Sequence, residues 1–136
     1  MRLELDVALV ALALGFSAVP ASAERNLVPS LEPSFDVCPD RPTEPEWMQS
    51  IALRDAYQRV LVQDIYRAQN LERIVETGDC ACETRFPSWD EAEATFHELH
   101  ASTERWEMLQ ASDGYNRRAN AARPEAQAIC DAAGNW

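Results

Sequence analysis

Apolar side chains recur at three- and four-residue steps from Trp47 through Ile51, Tyr57, Leu61, Ile65, Ala68 and Leu71 to Val75. Val60 and Ile74 sit beside this stripe, while Arg54, Arg59, Gln63 and Arg73 fall off it. That period belongs to an amphipathic helix. Thr43 and Glu46 form the T-x-x-E pattern of a capping box, and Pro45 fits a first turn, where its missing N–H costs nothing. No glycine or proline follows until Gly78, which stands where a C-terminal cap belongs. The pattern predicts one uninterrupted helix over about residues 44–77. Asp55 with Arg59 and Asp64 with Arg67 are spaced to pair on its exposed side, at about 0.3 kcal/mol per pair.

Ser88-Trp89-Asp90-Glu91 repeats the capping-box pattern, and two acids in a first turn suit the helix dipole. Ala92, Phe96, Leu99, Thr103 and Trp106 form the apolar stripe of a second helix, with Leu109 at its edge, until Asp113-Gly114 offers a break or a kink. From Tyr115 to about Ala132 a third helical segment is poorer in apolar residues, and Pro124 either starts a new helix or bends the old one. This segment either continues the second helix or folds back on it. No alternating apolar pattern marks a strand. The expected fold is all-α: a long antiparallel helical hairpin with a third C-terminal helical segment, over residues 44–136.

Ahead of the helices the pattern changes twice. Val7 to Val19 is an apolar run behind Arg2, too short for a permanent anchor, and Ala21-Ser22-Ala23 is a small-x-small cleavage site. Residues 1–23 therefore read as a signal peptide cleaved after Ala23, leaving no stable membrane anchor. Residues 24–43 carry Pro29, Pro33, Pro39 and Pro42 and no apolar period, the pattern of an extended, polyproline-like arm. Leu27, Val28, Leu31, Phe35 and Val37 stud the arm and either lie along the protein's own helices or dock on a partner.

Composition sharpens this picture in two respects. Removing the signal leaves roughly 110 residues, room for one small domain. The full chain holds 12 basic residues, every one an arginine, against 23 acidic ones, for a net charge of −11. A surface so acidic repels nucleic acid and anionic lipid.

Cys38, Cys80, Cys82 and Cys130 all lie beyond the signal, so they meet an oxidising compartment. A straight helix over residues 44–77 is about 50 Å long. It would separate Cys38 from Cys80 and Cys82, whereas a hairpin returns Cys130 toward Cys38. That geometry favours a Cys38–Cys130 bridge, contributing about 4 kcal/mol in the chain-entropy model. Cys80 and Cys82 would then close a tight C-x-C ring. If the first helix is bent, or the third segment folds back, these two cysteines bond separately to Cys38 and Cys130. A redox-active dithiol is the third possibility, and Asp79 and Glu83 oppose it by disfavouring a thiolate.

His97 and His100 are the only histidines, and with Cys80 and Cys82 they nominally match a Cys2His2 metal site. His97 would lie about 12 Å along its helix, too far from the loop, and oxidised cysteines are not ligands. His97-Glu98-Leu99-His100 also lacks the i, i+4 histidine spacing of a zinc protease. There is no glycine-rich phosphate loop and no G-x-S-x-G elbow. The sequence thus offers no catalytic, cofactor or metal residues, and a non-enzymatic protein is expected.

The stretches Cys38-Pro39-Asp40-Arg41-Pro42, Glu76-Thr77-Gly78-Asp79-Cys80-Ala81-Cys82-Glu83 with Phe86-Pro87-Ser88-Trp89, and Ile129-Cys130-Asp131-Ala132-Ala133-Gly134-Asn135-Trp136 resemble small exported proteins that accompany conjugative type IV secretion systems in alphaproteobacteria. The likeness lies in cysteine and tryptophan placement and covers most of the exported chain in layout. It carries no functional residue over. It implies a periplasmic accessory or assembly factor acting on a periplasmic or envelope protein. Leu31 and Phe35 on the arm and the C-terminal Trp136 are the candidate partner-binding residues. The alternative from another class is a thiol–disulfide or metal-handling protein using Cys80 and Cys82.

Overall fold

The computed structural model describes Cys38 and residues 41–136, and among these every regular element is helical. The elements are α1 (Glu46–Ser50), a 3-10 turn (Leu53–Asp55), α2 (Ala56–Thr77), α3 (Cys82–Arg85), α4 (Asp90–Leu99) and α5 (Arg105–Ala132).

The stripe expected to make one helix is interrupted. Ile51 and Ala52 are extended, at φ −61°, ψ 138° and φ −64°, ψ 144°, without any glycine or proline to signal it. Tertiary packing overrides local propensity here. The break turns α1 so that Met48 is fully buried, Trp47 stacks on Phe96 with ring centroids 5.7 Å apart, and the Trp47 indole N–H donates to Glu93 Oε1 at 2.7 Å. Thr43 does not cap α1, which begins at Glu46 with no side-chain cap. The segment before it instead lies along α2, where Glu44 accepts from Arg59 Nε at 2.8 Å and from Gln63 Nε2 at 2.6 Å.

The second expected helix is also divided. It breaks between Leu99 and Arg105, not at Asp113-Gly114, and both Gly114 and Pro124 lie inside α5, a helix of 28 residues. The capping box sits here, unannounced by Ser or Thr: Glu107 Oε2 accepts the backbone N–H of Glu104 at 2.8 Å. Ser88 donates to Asp90 Oδ2, leaving α4 without a side-chain cap.

The principal partner of α2 is α5. Ser112 donates to Asp64, Arg67 donates to Asn116 and Asn120, and Arg118 donates to Glu72, while Ile74 packs with Ala126 and Cys130. These pairings climb together along both helices, so α5 runs in the same sense as α2. Along α4 the order is reversed, Gln69 meeting Thr95 and Arg73 meeting Glu91. α4 thus runs against α2, while α5 folds back beside α2 in the same sense, and in place of the local pairs expected of Asp55 with Arg59 and Asp64 with Arg67, Arg59 meets Glu44 and Arg67 meets the asparagines of α5.

Two cores follow. The larger gathers Met48, Leu61, Val62, Ile65, Tyr66, Trp89, Ala92, Phe96 and Met108, and the smaller gathers Ile74, Cys80, Ala126 and Cys130 near the end of α2. Tyr66 stacks on Trp89 at 4.0 Å, and the Trp89 indole N–H donates to the Pro42 carbonyl at 2.9 Å.

Candidate functional site: an arginine-lined cavity beside crossed disulfides

The cysteines pair as Cys38–Cys82 and Cys80–Cys130, with Cα–Cα distances of 5.3 and 5.2 Å, and none is free. This overturns the favoured Cys38–Cys130 bridge and the C-x-C ring, and realises the pairing in which Cys80 and Cys82 bond outward. The reason is geometric. With Glu44 held at Gln63, the six residues back to Cys38 can extend about 20 Å, as far as α2 runs from Gln63 to Thr77. Because α5 climbs with α2, Cys130 arrives at the end of α2 and not at its start. The C-x-C pair on which a dithiol or metal role depended is thus split between two bridges.

Next to these bridges the chain turns after α5. Gly134, at φ 69°, supplies the left-handed residue, and the Asn135 N–H donates to the Cys130 carbonyl at 2.8 Å. The turn buries Asn135, whose side-chain amide donates to the Cys80 carbonyl. Arg85 of α3 donates to the Asn135 carbonyl. Loss of hydration lowers the Arg85 pKa from its ordinary value.

Trp136 follows, 37% exposed, with the Arg85 guanidinium 5.1 Å from its ring centroid and that of Arg123 at 5.7 Å. The tryptophan forms part of the wall of a cavity of about 540 Å³. Arg41, Arg67, Arg85 and Arg123 face this cavity, together with Tyr66, Leu71, Ile74, Phe86 and Asn70. Burial holds the Tyr66 phenol above its ordinary pKa, opposed by a hydrogen bond with Asn70 and by the positive charges of Arg41 and Arg73.

The arginines differ in their partners, and Arg105 and Arg117 lie outside the cavity without an ion pair among the described residues. Arg54, Arg59, Arg73 and Arg118 each meet a carboxylate: Asp55, Glu44, Glu91 and Glu72 respectively. The four that line the cavity meet no carboxylate among the described residues. Arg67 is held by the side-chain oxygens of Asn116 and Asn120 at 3.0 and 2.8 Å, while Arg85 and Arg123 rest on aromatic faces. In so acidic a chain, a cavity walled by arginine with neutral partners is a local reversal of charge.

A second exposed feature lies where α2 and α5 begin. Arg105 sits over Tyr57 at 5.0 Å, placing the two helix starts side by side. Around them Leu53 is 92% exposed and Trp106 59%, with Val60 and Leu109 also exposed. The sequence pattern put Trp106 and Leu99 in a buried stripe. The break between α4 and α5 resets the helical phase and turns Trp106 outward, while Leu99, the last residue of α4, stands exposed at the helix end.

Of the residues singled out from the sequence, Leu31 and Phe35 lie outside the described residues. Trp136 sits at the cavity. The ring of His97 is 6.1 Å from that of Trp47, and His100 Nε2 is 3.3 Å from the Tyr115 hydroxyl. No group of metal-ligating side chains is found among the described residues. The arginine cavity itself had no sequence signal, because its members come from α2, α3, α5 and the segments beyond them.

Two closed disulfides fit an oxidising, exported setting, and no helix among the described residues is long and apolar enough to cross a membrane. Comparisons with protein families, with curated proteins and with solved structures return no match.

Proposed function

We propose that this is an exported, non-enzymatic helical protein that works by contact with another periplasmic or envelope protein, as an accessory or assembly factor of a conjugation or type IV secretion apparatus. The observation that best supports a contact role is the uncovered apolar surface at the starts of α2 and α5. Leu53 and Val60 flank Tyr57 at four- and three-residue steps, and Trp106 and Leu109 lie one turn apart on the adjoining helix. Scattered single apolar residues are ordinary on a surface, whereas such a grouping marks an interaction face. Tryptophan is also among the residues that most often dominate binding energy. Export is supported by the apolar run from Val7 to Val19, the Ala21-Ser22-Ala23 site and the two bridges. The link to a secretion apparatus rests on the layout of cysteines and tryptophans.

Deleting the gene in a conjugation-competent host should lower the frequency of plasmid transfer, and the wild-type chain should restore it. Leu53→Arg and Trp106→Arg, both at exposed positions, should keep the wild-type Tm and fail to restore transfer. Transfer unaffected by the deletion would remove the apparatus from the reading; full rescue by both variants would remove this face from the contact.

A further inference from the structure

We infer that the cavity beside the crossed disulfides is a binding site for an organic acid, one anionic headgroup carried on an apolar body. Its volume, about 540 Å³, falls within the range of small-molecule sites. The inference does not depend on the protein contact proposed above, which uses the opposite end of α2.

Three features carry it. First, the charge of the wall is uncompensated among the described residues: Arg41, Arg67, Arg85 and Arg123 meet no carboxylate there, although acidic residues outnumber basic ones in this chain by 23 to 12. Arg118, outside the cavity, is by contrast held by Glu72 through two hydrogen bonds. Secondly, the cavity guanidiniums are positioned without being neutralised. Two asparagine oxygens fix Arg67, and the Trp136 ring receives Arg85 and Arg123. Such partners orient a guanidinium and leave its charge and several of its five N–H donors for a ligand. A carboxylate matches that fork with two parallel hydrogen bonds. Thirdly, apart from Asn70 and the Tyr66 hydroxyl, the rest of the wall is apolar or aromatic. Leu71, Ile74 and Phe86 offer nothing to a small hydrated ion such as chloride or sulfate, but they shelter a hydrocarbon body from water.

The test is calorimetric titration of the oxidised protein with dodecanoate, dodecanol and dodecylammonium, each below its aggregation concentration. Dodecanoate should bind at one molecule per chain, and the neutral and cationic compounds should bind at least about tenfold more weakly. Arg67→Gln and Arg123→Gln should each weaken dodecanoate about tenfold. Arg59→Gln, which alters a pair outside the cavity, should leave its affinity unchanged. Melting curves for each variant distinguish lost binding from lost folding, and Arg123, which is exposed on α5, can be changed without opening the core. Equal affinity for dodecanol, unchanged affinity in both cavity variants, or no binding of dodecanoate overturns the inference. So does binding that appears only after residues 24–37 are removed, which would give the cavity to the chain's own arm.

Discussion

His100 ends α4 with its backbone N–H donating to Phe96 and its ring edge-on to Tyr115, centroids 5.8 Å apart. Partial burial there lowers its pKa from the ordinary value of 6.5. The folded chain thus prefers the neutral imidazole, while the unfolded chain protonates it at higher pH. By linkage, the His100 contribution is fully present above the unfolded pKa, declines as pH falls below 6.5, and levels off below the depressed folded value. Thermal melts at about pH 7.5 and pH 5.5 should therefore show a smaller drop in Tm for His100→Asn than for the wild type. Equal drops would remove His100 from the acid sensitivity of the fold.

At the scale of elements, α1 shows how five residues are held by what they touch. Met48 is fully buried among side chains of α2, α4 and α5, and it anchors a helix too short to persist alone. Met48→Ala should cost about 3 kcal/mol, readable in urea unfolding, because both transfer energy and a cavity are involved. A loss under about 1 kcal/mol would mean that α1 is not held through Met48. The same element marks the limit of what was legible from the chain. Periodicity located the buried faces of α2 and α4 through Leu61, Ile65, Ala92 and Phe96, because those contacts repeat with the helical turn. It ran straight through Ile51 and Ala52, where no breaker stands, since the gain from bending lies in Trp47 meeting Phe96 and Glu93, almost fifty residues away. It also treated Asp113-Gly114 and Pro124 as punctuation, and α5 passes through both. The cavity was less legible still: arginine pairing depends on which carboxylates the tertiary fold brings near, and local spacing offered Arg67 to Asp64 when its partners are asparagines on α5.

For the molecule as a whole, the two bridges span separations of 44 and 50 residues and interleave along the chain. Each restricts the unfolded chain by about 4 kcal/mol in the chain-entropy model, so Cys38→Ser with Cys82→Ser and Cys80→Ser with Cys130→Ser should destabilise to similar degrees. Denaturant melts of the two double variants check this. A first pair that melts like the wild type would show that the Cys38 bridge adds nothing to the helical domain. The interleaving has a consequence for biosynthesis. A chain delivered across a membrane from its N-terminus presents Cys38, Cys80 and Cys82 to the oxidant before Cys130 emerges. Cys38 can then close natively on Cys82, leaving Cys80 for Cys130, or Cys80 can couple with Cys38 or with its neighbour Cys82, and either of these products denies Cys130 its native mate. In the mispaired chains thiol–disulfide exchange must afterwards undo the early bond. If the chain is exported as proposed, its mispaired fraction depends on a disulfide-shuffling catalyst as well as an oxidant, and in cells lacking such an isomerase that fraction should persist even where oxidation itself is complete.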